Sequence, residues 1–116
     1  MVQALLRLKV NSANQDKIVE IINFMLERIQ VESGCVSCHF YQDTSSKGVF
    51  LLWQEWESRA DLERHICSEE FRHILALIDL ASEPPEIRFN TISKEEGIET
   101  IETVRGDKSN FQPPAI

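Results

Sequence analysis

The side chains here that can do chemistry near neutral pH are three histidines (His39, His65, His73) and three cysteines (Cys35, Cys38, Cys67). An imidazole titrates close to neutrality, so it can take a proton from a phenol and hydrogen-bond the anion left behind. Each histidine also has an ordinary structural role open to it. His65 falls on an amphipathic stretch, where a half-buried imidazole bonded to a carbonyl is the alternative to a base. His73 follows Glu69 by one helical turn, the spacing of a surface pair. His39 alternates with Ser37 and Tyr41, and that polar strand face is either solvated or lines a cavity.

Cys35 and Cys38 form a CxxC pair. On a strand this odd spacing sends the thiols to opposite faces, with Cα atoms about 10 Å apart, too far for a disulfide. No metal site is expected of them unless Cys35 lies in the turn before the strand. Trp53 and Trp56 are also three apart, so they should not line one pocket; Trp53 is assigned to a dimer interface. Trp56 is either a wall on which a flat ring stacks or a core aromatic bridging strand and helix. There is no Gly-rich phosphate loop, no HExxH and no GxSxG. Glu55 and Glu57 have no partner acid that points to glycosidase work. With no flavin or nicotinamide fingerprint, no cofactor is expected.

The elements that must position these residues follow from hydrophobic periodicity. Ala4 to Val10 alternates as a strand, with Leu6, Leu8 and Val10 on one face. From about Asp16 to Gln30 the period becomes helical: Ile18, Ile22, Met25 and Ile29 share a stripe. Gly34 is the expected stop. Cys35 to Gln42 and Val49 to Trp56 read as strands joined by the polar loop 43–48. The second of these is apolar on both faces, with Phe50, Leu52 and Trp56 opposite Val49, Leu51 and Trp53. Ser58, with Asp61 three residues on, caps the next helix. A helix restarts near Ser68 and runs through Phe71, Ile74, Leu75 and Ile78 to Pro84-Pro85. Glu86 to Ile92 is a fourth strand, Glu99 to Arg105 is expected to be a short fifth, and residues 106–116 a loose tail.

The order β-α-β-β-α-β is the ferredoxin-like split βαβ arrangement, an α+β domain whose helices cover one face of an antiparallel sheet. Residues 1–95 form that domain, and 96–116 carry the C-terminal strand and tail. A third strand apolar on both faces needs cover on its second face too, and another copy of the chain is the simplest. With 12 Lys and Arg against 19 Asp and Glu, the net charge of −7 disfavours nucleic acid and anionic membranes as partners. The N-terminal MVQALLRLKV lacks the pattern of a secretory signal, and no apolar run reaches membrane-spanning length. A cytoplasmic protein with reduced thiols is expected.

The series Glu32-Ser33-Gly34-Cys35-Val36, Phe40-Tyr41-x-Asp43, Phe50-Leu51-Leu52-x-x-Glu55-Trp56-Glu57-Ser58 and Leu62-x-x-His65-x-x-Ser68-x-x-Phe71 resembles the antibiotic biosynthesis monooxygenase family. The likeness runs over roughly residues 4–92 and is densest between 32 and 71. It implies a dimeric α+β barrel with a cavity between sheet and helices in each protomer. Family members include cofactor-free oxygenases of phenols and quinols, haem-degrading enzymes and a sugar-phosphate isomerase, so fold leaves function open.

The resemblance makes His65 the catalytic candidate, since it matches the family's histidine nine residues after Trp56 on the helix roofing the cavity. Asp61 or Glu69, one turn away, is the expected orienting carboxylate. Trp56, His39, Tyr41, Leu52 and Phe71 are the expected substrate contacts. The leading expectation is a cofactor-independent monooxygenase acting with O2 on a small aromatic substrate, as a homodimer. The alternatives are a binding protein without turnover and an isomerase of a small phosphorylated metabolite; the latter would need Arg7 or Arg88 in the cavity. Haem-degrading relatives carry a first-strand asparagine, a helix tryptophan and an iron-ligating histidine. This chain has ALLRLKV, His65 and Leu75 there, so haem chemistry is not expected.

Overall fold

The computed structural model describes residues 1–106. Four strands, β1 (Val2–Lys9), β2 (Cys35–Gln42), β3 (Val49–Trp56) and β4 (Glu86–Thr91), form one antiparallel sheet in the order β2-β3-β1-β4. Between them run α1 (Gln15–Gln30), α2 (Arg59–Ile66) and α3 (Phe71–Asp79), and α4 (Glu99–Arg105) follows β4. This is the α+β ferredoxin-like arrangement that the periodicity implies.

The core lies between the sheet and α1–α3. Val2, Ala4, Leu6 and Leu8 of β1 and Phe50, Leu52 and Trp56 of β3 point inward, because alternate residues share a face. They meet Ile18, Ile22, Met25 and Ile29 of α1, Leu62 of α2, and Ile74 and Leu77 of α3, all buried. The opposite face carries Leu5, Arg7, Leu51 and Trp53; Trp53 keeps 37% of its surface exposed.

Three local expectations need correction. Glu99–Arg105 is a helix, not a strand. Its β-branched residues suggest extension, but Glu99 and Glu102 in the first turn complement the helix dipole, and Gly106 at φ 76° closes the end. Of the tail expected over 106–116, Gly106 is the cap of this helix, and 107–116 lie outside the described residues. His73 pairs with Glu70 at 3.6 Å, while Glu69 meets Arg72 at 3.2 Å.

The third correction concerns CxxC. A β-bulge between Cys35 and Ser37 inserts one residue into β2, so Cys35 stands opposite Trp56 and Cys38 opposite Gln54. Both cysteines therefore turn to the core side, although strict alternation would separate them. Both thiols are free. Burial pushes Cys35 up to about 11, with Glu32 adding to it, and pushes Cys38 up to about 12.

Candidate functional site

Between the sheet and α3 lies a cavity of about 190 Å³. Leu6, Leu52, Leu62, Phe71, Ile74 and Ile78 line it, together with Ile87 and Phe89 of β4. A cavity of this size and apolarity is on the scale of one aromatic ring; engineered apolar cavities of about 150 Å³ take benzene. Its β4 side is open, with Ile87 and Phe89 47% and 45% exposed. Gln54 is the one lining side chain that carries an amide or charge.

Behind Gln54 stands a buried polar cluster. His65 is 1% exposed, and its ring stacks on Trp56 with centroids 4.6 Å apart and meets Phe71 edge-on at 5.4 Å. Nδ1 lies 2.9 and 3.0 Å from the two carboxylate oxygens of Glu32. Nε2 lies 3.4 Å from the Gln54 amide nitrogen, and Trp56 Nε1 donates to the Gln54 amide oxygen at 3.1 Å.

Local sequence fixes this cluster. Ser58 caps α2: its hydroxyl accepts from the Asp61 amide at 3.2 Å and donates to the Asp61 carboxylate at 2.7 Å. That starts α2 in the phase that turns Leu62 and His65 inward. Glu32 sits in the turn between α1 and β2, where the Cys35 amide donates to the Glu32 carbonyl at 3.0 Å. Gly34 takes φ +84° in this turn, and its carbonyl accepts from the Glu57 amide at 2.8 Å. A Cβ on Gly34 would clash with Asp61 Cγ, so glycine allows the turn to close against α2.

The sequence-predicted residues divide into three groups. Leu52 and Phe71 line the cavity. His65 and Trp56 do not line it: His65 touches the lining residues Gln54 and Phe71, and Trp56 touches Gln54. His39 and Tyr41 are not brought to it: they pair with Trp53 and Leu51 on the outer face, both exposed, because β2 alternates in step with β3. Arg7 and Arg88 are also on the outer face, each within 4 Å of Glu86, and neither lines the cavity. The carboxylate on His65 is Glu32, not Asp61 or Glu69; Asp61 is committed to Ser58 and to Arg64 at 3.0 Å.

Sequence reasoning missed Glu32 and Gln54. Gln54 left a signal: it interrupts the inward run Phe50, Leu52, Trp56, and a buried amide must find partners. Glu32 opens the series that carries the family resemblance, but nothing there ties it to His65, because that contact depends on how the turn closes.

The family model for antibiotic biosynthesis monooxygenase matches residues 1–77. The chain belongs to this family. An uncharacterised protein of Synechocystis sp. is 27% identical over 88 residues, 75% of this chain and 60% of that protein, so the chain spans less than two thirds of its relative's length. Among solved structures, Rv0793 of Mycobacterium tuberculosis has a TM-score of 0.74 at 18% identity, covering 83% of this chain and 98% of the other. SnoaB of Streptomyces nogalater, described as a cofactor-independent oxygenase and solved as an Asn-to-Ala mutant, has a TM-score of 0.69 at 16% identity, covering 81% and 94%. These structural likenesses carry the fold. Among the described residues no helix is long and apolar enough to cross a membrane.

Proposed function

We propose that this family member is a cofactor-independent monooxygenase of a small hydroxyarene, a phenol or quinol. The observation that carries the reading is the pair of half-buried Glu32 and buried His65, whose second ring nitrogen points at the polar spot in the wall of a ring-sized apolar cavity. His65 takes the hydroxyl proton once the Gln54 amide has moved aside, and the resulting phenolate is electron-rich enough to pass an electron to O2. The superoxide formed joins the ring at the para carbon. In a phenol with a free para position, cleavage of the O–O bond, with loss of the para hydrogen and return of the proton from His65, releases one oxygen as water and leaves the other as a quinone carbonyl. Phenol and O2 thus give quinone and water. Trp56 acts in this reading as a support stacked on His65, not as a substrate wall.

The working form is proposed to be a homodimer in the cytoplasm, with Leu5, Leu51 and Trp53 of the outer sheet face at the contact. Oxygen uptake tests the reading: the protein is incubated with a panel of phenols and quinols, and consumption is compared with His65→Gln. Uptake abolished by that change supports it; uptake indifferent to it removes the acid–base mechanism. One observation favours binding without turnover, namely that Gln54 already occupies Nε2 of His65. Ligand binding with no uptake on any substrate would select that second reading. The isomerase alternative is not carried forward, because Arg7 and Arg88 both stand outside the cavity.

A further inference from the structure

The four polar side chains behind the cavity form a chain in which chemistry fixes the direction of every hydrogen bond. The Trp56 indole only donates, so the Gln54 atom 3.1 Å from it is the amide oxygen. That turns the amide nitrogen toward His65 Nε2 at 3.4 Å. This nitrogen also only donates, so Nε2 must accept through its lone pair, and the ring hydrogen is assigned to Nδ1. Both oxygens of Glu32 are within 3.0 Å of Nδ1 to accept it. Donors therefore run one way, from Trp56 through Gln54 and His65 to the carboxylate.

We propose that Glu32 is the positioning residue of this site: it holds His65 in the Nδ1–H tautomer, so that the nitrogen nearest the cavity accepts and the site selects ligands that donate a hydrogen bond. The inference rests on reading the cavity as a substrate site, and it adds what that site rejects. Gln54 stands in the cavity wall, and its 3.4 Å contact is the longest link in the chain, hence the weakest. A ligand hydroxyl that displaces the amide can donate to Nε2 in its place and leave His65 satisfied. An aryl ether or a quinone has no hydrogen to give, and would leave a buried acceptor unpaired. The oxidised product is thus a poorer occupant than the substrate, which favours its release. Glu32 itself does not line the cavity, and the turn closed by Gly34 fixes its backbone.

The test uses the full chain. Long-range proton–nitrogen correlation spectra report the His65 tautomer without ligand or turnover, and tryptophan fluorescence reports binding of naphthol, its methyl ether and naphthoquinone, each with one ring in the cavity and the second at its open β4 side. Wild type is expected to show the Nδ1–H tautomer and to prefer naphthol by about tenfold or more. Glu32→Gln, whose amide oxygen still accepts, should keep both. Glu32→Leu, with folding checked by circular dichroism, should shift the tautomer toward Nε2–H and lose the preference. An Nε2–H tautomer in wild type, an unchanged tautomer in folded Glu32→Leu, or equal binding of naphthol and its ether would overturn the proposal. If Glu32→Leu does not fold, the wild-type tautomer and ligand ranking still decide. Absence of binding by all three ligands overturns both the selection and the substrate-site reading. Naphthol-selective binding without oxygen uptake removes the oxygenase reading alone.

Discussion

Glu32 and His65 lie 33 positions apart in the chain, yet their side chains meet at 2.9 Å, with the imidazole fully buried. Replacing that ring should therefore affect folding as well as chemistry. His65→Gln should lower oxygen-uptake turnover by about a hundred- to ten-thousand-fold, the usual contribution of a positioned base. It should also cost about 1–3 kcal/mol of stability, since Glu32 loses its buried donor. Urea denaturation alongside steady-state uptake checks both, and a variant losing stability with uptake intact would make the histidine structural only.

Gly34→Ala should destabilise the protein by more than about 1 kcal/mol, because an L-residue at φ +84° is strained. The added methyl would also displace the Asp61 carboxyl that accepts from the capping Ser58 hydroxyl. The urea midpoint reports this. A midpoint equal to wild type would mean that the turn holding Glu32 adapts freely.

The thiols give a pH prediction. Cys35 and Cys38 are pushed up to about 11 and about 12, from 9.0 in the unfolded chain, chiefly by burial. The folded protein keeps these protons longer than the unfolded one does. Their contribution to stability is thus complete below pH 9 and is lost as pH rises toward 11–12. The urea midpoint should fall across that window, and less steeply in Cys38→Ala. At neutral pH, iodoacetamide should label the exposed Cys67 and spare the other two, as mass spectrometry of the native protein would show.

The outer sheet face, with Leu5, Leu51 and Trp53 in adjacent strands, is expected to meet its counterpart in a second copy. Light scattering should give twice 13.4 kDa at micromolar concentration, and Trp53→Lys should move the mass toward the monomer. A wild-type monomer would refute the dimer.

How much of this was legible in the sequence follows from what carries periodicity. The strands and α1–α3 were readable because Leu6, Leu8, Ile18, Ile22 and Leu52 repeat with periods that only one element satisfies. Leu52 and Phe71 are expected near the substrate from the family resemblance, not from periodicity, and both line the cavity. His39 and Tyr41 were ambiguous, since alternation says that two residues share a face but not which face is buried. The CxxC geometry failed because a single bulged residue reverses the face of everything before it. Glu99–Arg105 failed because seven residues with β-branching leave helix and strand close in propensity, and the decision fell to Gly106 and the acidic first turn. The Glu32–His65 contact joins a turn to a helix, and no local pattern encodes it.

The cavity itself can be tested by filling it. Ala4 faces it from β1, opposite Gln54 on one side and Phe89 on the other, and is the smallest inward residue of that strand. Ala4→Leu adds three carbons on the cavity side without touching Glu32, His65 or Trp56. If the space is empty, the new side chain gains burial without displacing a neighbour, and stability should rise by up to about 2 kcal/mol. Naphthol binding should then fall at least about tenfold, because the ring and the leucine compete for one volume. If the space is not there, the same change overpacks the core and should cost about 1–3 kcal/mol. Urea denaturation and tryptophan fluorescence on this one variant separate the outcomes. A stabilised protein that no longer binds supports the cavity as the ligand site, a destabilised one argues that the core is already full, and a stabilised one that binds as before places the ligand elsewhere.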